Sequence, residues 1–523
     1  MSFSSHATHA LIRASDNCSR NRASDAHAST HARERSHMPI AAAYTSASTS
    51  ECARIGHNER GNARRVATKM RAAGAHENEN CTFEDSARVA NANSSARGAS
   101  WRAAHRAEFA QSVAEAHEAT ASATVIDFLV NDDALLGQRK WLGAAVTSTG
   151  DIYGVPSHAR KVLHVDPRNG TMELIGSELT MTHFKFLRGV DGKNGHCYGL
   201  PAWGEGVLKI DVETGETSMI GVGLYKQMKW QWHGGSLGSD GALYAVPCNA
   251  SSVLRVCTKT EQVSFIGEDV IPKMRNKWYG GIKAPDGSIY GVPYCADSII
   301  RIVPETQSVE LLELKGAKLE RDTYAWHGGI LAPNGCIYCF PSHHERVMKI
   351  DTATRECTLI GRSLGEKRYK FGGGCVGPNG DAVYAFPSDY HAVLKIDTTT
   401  DEVSLVGEGL PGMLPDLLNK WQNGVLAPDG YIYGVPCDAP SVLQIDPRAD
   451  SCNFLGSLGD LPDKYQGGFL DKNSGVVYCV PENAENVLRI CPPGSTPNPP
   501  ARDGAAHDAK PRRASPPDAS DDP

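Results

Sequence analysis

The chain has no run of 18 uninterrupted apolar residues in its 523 positions, so neither a transmembrane helix nor a membrane partner is expected. It has no excess of basic residues. With 53 Lys+Arg against 60 Asp+Glu the formal charge is −7, and phosphate contacts need clustered Lys/Arg, so nucleic acid is not expected as a partner. The N-terminal region lacks the apolar core of ~7–15 residues that a secretory signal requires. No nucleophile elbow, phosphate loop or strong zinc motif occurs, and no Trp-Asp pair. Aromatic residues are sparse at 7%, yet the 41% hydrophobic content and 52 Gly fit neither a wholly disordered chain nor a collagen-like one.

These shortages are unevenly distributed. Residues 1–120 contain one Pro (Pro39), four Gly and five aromatics, are rich in Ala, Ser, His and Arg, and carry a charge of 15 − 12 = +3. Such a segment buries too little apolar surface to offset its ordering entropy and is read as mostly disordered. A helical piece is expected from Trp101 to about Thr120, where Trp101, Phe109 and Val113 fall at near-helical spacing. Arg- and Ser-richness is that of an organellar transit peptide, whereas Asp16, Asp25 and Glu34 are not. Organellar targeting therefore stands beside an untargeted tail. Residues 492–523 form a Pro-rich tail, also read as disordered, in which Arg512-Arg513-Ala514-Ser515 has the form of a basophilic kinase site. Between them lies one globular domain, residues 121–491, with charge 34 − 43 = −9.

That domain repeats. A Tyr followed three residues later by Pro recurs at Tyr153/Pro156, Tyr198/Pro201, Tyr244/Pro247, Tyr290/Pro293, Tyr338/Pro341, Tyr384/Pro387, Tyr433/Pro436 and Tyr478/Pro481, with Pro spacings of 45, 46, 46, 48, 46, 49 and 45. Each copy holds four short strand-type runs, in the fourth copy 281–284, 288–292, 298–303 and 308–312. Asp-Gly or Asn-Gly joins the first run to the second, as at Asp286-Gly287 and Asn334-Gly335, which is a strong hairpin signal. Four antiparallel strands in roughly 45 residues match a β-propeller blade. The eighth copy lacks its fourth strand, and ATVIDFLV from Ala123 precedes the first copy, so this run is expected to complete the last blade. The fold expected is all-β, an eight-bladed β-propeller. Seven blades is the alternative if the divergent second copy, 186–220, is not a full blade.

The repeat GG-x-x-APDG-x-IYGVP-x-x-A-x-x-V-L-x-IDP resembles the NHL, SMP-30 and virginiamycin B lyase group of propellers, over residues 123–491. The resemblance implies a propeller and leaves the activity open. In the virginiamycin B lyase-like group it implies elimination chemistry by His near the axis, with a divalent metal. The carboxylates that hold the central metal of SMP-30-like enzymes have no counterpart here, since those positions are Gly-Gly.

Because strands alternate in direction, the connector into each first strand and the loop after each second strand share one end of the ring. One column there is aromatic in all eight copies: Trp141, Phe186, Trp232, Trp278, Trp326, Phe371, Trp421 and Tyr465. It reads as wedge packing between blades or as a ligand-stacking platform, with Trp232, Trp278, Trp326 and Trp421 as candidate ligand-binding residues. The residue before it is Lys in six copies, read as a solvated rim or as an attractor of carboxylate and sulfate groups. The residue after it breaks symmetry, bringing His233, Tyr279 and His327 from three consecutive blades as candidate catalytic residues, imidazole as base or ligand and phenol as acid. Arg188 adds a carboxylate clamp. Among the loops after the second strands, Trp203, His343, His344, Asp389 and His391 are further binding candidates, the last four read as a cluster on neighbouring blades.

The Asp residues of the APDG and Ile-Asp motifs are expected to fix turns. Of 15 Cys, repeat-equivalent ones cannot pair with each other, and Cys336 and Cys339 point to opposite faces of one strand, so mostly free thiols and a cytoplasmic or other intracellular setting are expected. The leading functional expectation is a monomeric binding module that holds a protein segment or an anionic glycan. The alternative is a carbon–oxygen lyase or hydrolase using His233, Tyr279 and His327, with a divalent metal as its cofactor.

Overall fold

The structure, a computed structural model, describes residues 123–130, 135–316, 319 and 323–498. The expected helix before Thr120, most of both tails and the kinase-type motif lie outside the described residues.

Short acidic and amide side chains organise the hairpins. Asp240, Asp286, Asn334 and Asp429 each accept the backbone N–H two residues on, at 3.1, 2.9, 3.0 and 3.1 Å. In the second turn Asp211, Asp351 and Asp397 do the same, at 3.0, 2.9 and 2.8 Å. These are the turns expected of Asx residues. Most second strands, such as Ile289–Pro293 and Cys336–Pro341, are buried at every position. A strand is buried this way when it lies inside its sheet and the sheet is covered on both faces.

The result is eight four-stranded antiparallel sheets, seven of which pair their strands in sequence order. Their first strands are Trp141–Val146, Phe186–Asp191, Trp232–Leu237, Trp278–Lys283, Trp326–Leu331, Phe371–Val376, Trp421–Leu426 and Tyr465–Leu470, which number blades 1 to 8. The divergent second copy is a complete blade, ending in Thr217–Ile220. The ring therefore has eight blades. The first strands begin at the aromatic residue, three positions before the expected start in blade 4. The Gly pair lies inside the strand and marks a break in register, as between Trp232 and Gly235.

The Gly pairs are needed because first strands of neighbouring blades approach closely around the axis. A Cβ on Gly281 would lie 2.6 Å from the Gly235 Cα, and one on Gly234 would lie 2.5 Å from the Gly280 carbonyl oxygen. The apolar core lies between blades. One cluster joins Ile330, Tyr338 and Phe340 of blade 5 to Phe371, Val383 and Leu394 of blade 6. Another joins Val476, Tyr478 and Val480 of blade 8 to Trp141, Ile152 and Leu163 of blade 1. A single blade would leave both faces wet, so stability resides in the closed ring.

The N-terminal run closes it. Val125–Leu129 pairs with Val487–Cys491 as the fourth strand of blade 8, in the register Ile126↔Ile490. Arg489 and Asp127 form a two-pronged ion pair across this seam, with side chains 1% and 3% exposed. The 12 described cysteines are free, and Cys336 and Cys339 fall in different apolar clusters, on opposite faces of their strand.

Candidate functional site

Two of the repeated columns at the connector end are structural. Trp232, Trp278, Trp326 and Trp421 are 2%, 0%, 0% and 0% exposed. Their indole N–H groups donate to the carbonyls of Ser252, Ser298, Arg346 and Ser441 at 2.8, 2.6, 2.9 and 2.9 Å. They are wedges between blades rather than a ligand-stacking platform. The Lys column is buried as well, contrary to both expectations for it. Lys277 donates to the carbonyls of Ala250 and Met274 at 2.8 and 3.1 Å, and Lys420 to those of Tyr390 and Leu417 at 2.8 and 3.1 Å. Each ammonium staples a connector to the preceding blade, and burial lowers both amines to about 8.

A column that sequence reasoning missed lies two residues before the aromatic one. Arg139, Phe184, Trp230, Asn276, Tyr324, Tyr369, Asn419 and Asp463 all adopt left-handed φ between 48° and 57°. Their carbonyls accept the backbone N–H of the loop residue after the second strand of the same blade, for example Trp203 to Phe184 at 3.1 Å and His343 to Tyr324 at 3.1 Å. Their own N–H groups are in several blades taken by the preceding blade's loop: Asn276 by Asn249 Oδ1 at 2.7 Å, Asn419 by Asp389 Oδ1 at 2.8 Å and Asp463 by Asp438 Oδ1 at 2.7 Å. Asp389 is thus a stitch between blades rather than a free ligand. The residue type in this column changes at almost every blade. Only its offset from the aromatic wedge could have revealed it.

The candidates divide accordingly. His344 stacks on Trp326 with ring centroids 4.4 Å apart, and its Nδ1 accepts the Arg346 N–H at 3.1 Å. His391 pairs with Glu408 at 2.9 Å. The expected cluster of His343, His344, Asp389 and His391 is therefore dispersed into separate local contacts. His343 packs against Tyr324 and Tyr369.

His233, Tyr279 and His327 do come together. His233 and Tyr279 have ring centroids 4.0 Å apart, and Tyr279 and His327 5.6 Å. The contacts continue through Tyr279–Tyr294 at 4.1 Å, Tyr294–Tyr324 at 4.6 Å, Tyr324–His343 at 5.4 Å and His343–Tyr369 at 4.5 Å. On blades 2 and 3, Phe184, Trp203 and Trp230 form a second aromatic group, with centroids 4.8–5.1 Å apart and the Lys229 ammonium 4.7 Å over Trp203. Blades 2 to 6 therefore present an aromatic arc. Blades 7 and 8 present Gln422, Gln466, Asn419, Asp438, Asp463 and Glu482.

Electrostatics separates the two arcs. Burial, helped by the Arg188 guanidinium, holds the His233 imidazole well below its ordinary value. The same two causes, with His343, hold that of His327 at about 3. Burial pushes the Tyr279 phenol well up. All three are neutral at pH 7. Arg188 is the charge among them. Its Nε and Nη2 are buried and have no hydrogen-bond partner in the protein, although the residue as a whole is partly exposed. Burial alone lowers its guanidinium to about 9. On the other arc, burial with Asp463 and Asp438 pushes the Glu482 carboxyl well above the carboxylate range, against Gln466 and Arg139. The Gln466 amide acts on it from a position that satisfies neither of its oxygens. Cys437, Asp463 and Glu482 place their donor atoms within 4.8 Å of one another.

A cavity of about 660 Å³ lies at the opposite, hairpin end of the axis, lined by Val190, Gly235, Ile282, Ile330, Leu331 and Val376 among others. Asp191 and Lys193 on its wall pair with each other at 3.3 Å. It has size without converging polar groups, and the chemistry-bearing residues are at the connector end.

Over the described residues the chain is thus an all-β propeller of eight blades. No family model matches it, and no curated protein does. It is similar in fold to solved propellers, among them a streptogramin B lyase (11% identity, covering 70% of this chain and 97% of that one, TM-score 0.46). A catalytically inactive virginiamycin B lyase from Staphylococcus aureus with quinupristin is similar at 12% identity, covering 71% of this chain and 99% of that one, TM-score 0.46. A periplasmic gluconolactonase from Pseudomonas aeruginosa is similar at 13% identity, covering 65% and 98%, TM-score 0.41.

Proposed function

We propose that the connector end of the axis binds a small anionic ligand with an apolar or saccharide face, an anionic glycan unit being the best match. The carrying observation is Arg188. A guanidinium stays charged at pH 7, and leaving buried donors unpaired costs about 1–3 kcal/mol or more for a charged group. A carboxylate or sulfate completes its two free donors. Trp203 and Trp230, partly exposed at the same end of the ring, supply flat faces. Phe184, Tyr324 and Tyr369 are only 6–7% exposed, which suits one or two sugar rings better than an extended protein segment.

Catalysis by His233, Tyr279 and His327 is the second reading, favoured by their convergence from three blades. A base near pKa 3 is weak at pH 7, since general acid–base groups work best close to the operating pH. Binding is therefore preferred.

The test is the melting temperature of the protein with uronate and sulfated oligosaccharides and with their neutral counterparts. A ligand at about 100 times its Kd adds roughly 2.7 kcal/mol. The acidic sugars are expected to raise the melting temperature and the neutral ones not. Arg188→Met is expected to weaken binding ~10–100-fold, the loss of a charge-assisted contact. Equal shifts from acidic and neutral sugars, or no shift from either, would overturn the reading.

A further inference from the structure

The acidic arc carries a different site, and it does not depend on the anion reading. Cys437 and Glu482 occupy the same repeat position in blades 7 and 8, each directly after the Pro that ends the second strand. Asp463, in the left-handed connector into blade 8, falls between them. Their Sγ and carboxylate oxygens lie within 4.8 Å of one another, and Cys437 Sγ is 3.8 Å from Asp463 Oδ1. In a tetrahedral centre with metal–sulfur and metal–oxygen bonds of about 2.3 and 2.1 Å, sulfur and oxygen ligands sit about 3.6 Å apart. The pair is already at that spacing.

The arrangement is held from outside. The Asn419 amide donates to Asp463 Oδ1 at 2.8 Å and to Asp438 Oδ1 at 3.2 Å, and lies 3.3 Å from Cys437 Sγ. Glu482 is an independent pointer to a cation. It is 0% exposed, and both of its carboxylate oxygens are buried without a hydrogen-bond partner. A buried carboxyl whose oxygens lack a well-formed hydrogen bond, within reach of a thiol and a second carboxylate, has the setting of a cation ligand.

We propose that Cys437, Asp463 and Glu482 bind a zinc-type divalent cation between blades 7 and 8. One thiolate and two carboxylates suit zinc or cobalt rather than magnesium or calcium, which take all-oxygen shells. Three protein ligands leave the fourth position to water or a bound group, the pattern of reactive rather than purely structural zinc sites.

The experiment is cobalt titration of the full chain after chelator treatment, read by absorption. Wild type is expected to take up cobalt with a near-ultraviolet thiolate-to-cobalt band and the visible bands of a tetrahedral ion, both displaced by zinc and unaffected by millimolar magnesium or calcium. Cys437→Ser is expected to abolish the near-ultraviolet band, and Glu482→Gln to weaken cobalt binding at least tenfold. Cys437→Ser retains every other thiol, including those of the N-terminal segment, so loss of the band assigns it. An unchanged band in Cys437→Ser, no band in wild type, or displacement by magnesium would overturn the proposal. Should Cys437→Ser fail to fold, unaltered cobalt affinity in Glu482→Gln overturns it by itself.

Discussion

The girdle between the blades and the mouth of the axis are made from neighbouring residues and obey opposite rules. Trp421 and Lys420 in the girdle are 0% exposed, and their side-chain nitrogens donate to backbone carbonyls. Arg188 and Glu482 at the mouth have buried polar atoms that the protein leaves unpaired. The girdle repeats its chemistry around the ring because each blade faces the same packing problem. The mouth changes residue type blade by blade, since a ligand on the axis meets each blade only once. In a propeller, satisfied symmetry marks the scaffold, and unsatisfied asymmetry marks the site.

That contrast breaks if girdle substitutions change ligand affinity or mouth substitutions unfold the ring. The largest effect is expected at the seam. Asp127→Ala strands the buried Arg489 guanidinium and should cost about 3–5 kcal/mol in urea unfolding, with binding unchanged in the fraction that is folded. Trp421→Ala should cost a similar ~3–5 kcal/mol by leaving a cavity between blades 6 and 7, again without a change in affinity. A smaller effect is expected from pH. The His327 imidazole is neutral in the folded protein down to about 3 but protonates near its ordinary value once unfolded, so acid favours the unfolded chain. Its contribution is intact above pH ~6.5 and is lost as pH falls from there towards 3, at up to ~1.4 kcal/mol per pH unit. His327→Gln should make the stability profile between pH 6 and 4 shallower by about that slope. The smallest effect is the most telling. Arg188→Met should leave the unliganded protein as stable or up to about 1–3 kcal/mol more stable, because it removes an unpaired buried cation. Destabilisation there would move Arg188 into the girdle.

Blade number, strand order and the closing strand were legible because they depend on repeated signals: the Tyr-x-x-Pro spacing, the Asp-Gly turns and ATVIDFLV before the first copy. The convergence of His233, Tyr279 and His327 was legible from strand alternation. The buried Lys ring was not, because Lys reads as a surface residue until backbone carbonyls are found around its ammonium. The left-handed column was not, because nothing in Arg139, Phe184 or Asp463 announces positive φ in a residue other than Gly. The Cys437–Asp463–Glu482 group was hidden because its members belong to two different columns, which approach only where one blade meets the next.

The closing strand also sets a schedule for synthesis. Asp127 and Arg489 are 362 residues apart. At about 5–20 residues per second, the N-terminal strand waits roughly 20 to 70 s on the ribosome for its partner. Throughout that time the most recently completed blade offers an uncovered face, and the growing stack carries an unpaired strand edge at its start. The newly made chain is thus a ratchet without a pawl. It gains packing blade by blade but becomes irreversible in practice only when its last strand clicks against its first. Nascent-chain chaperones should therefore dwell on this protein until nearly all of the propeller has emerged.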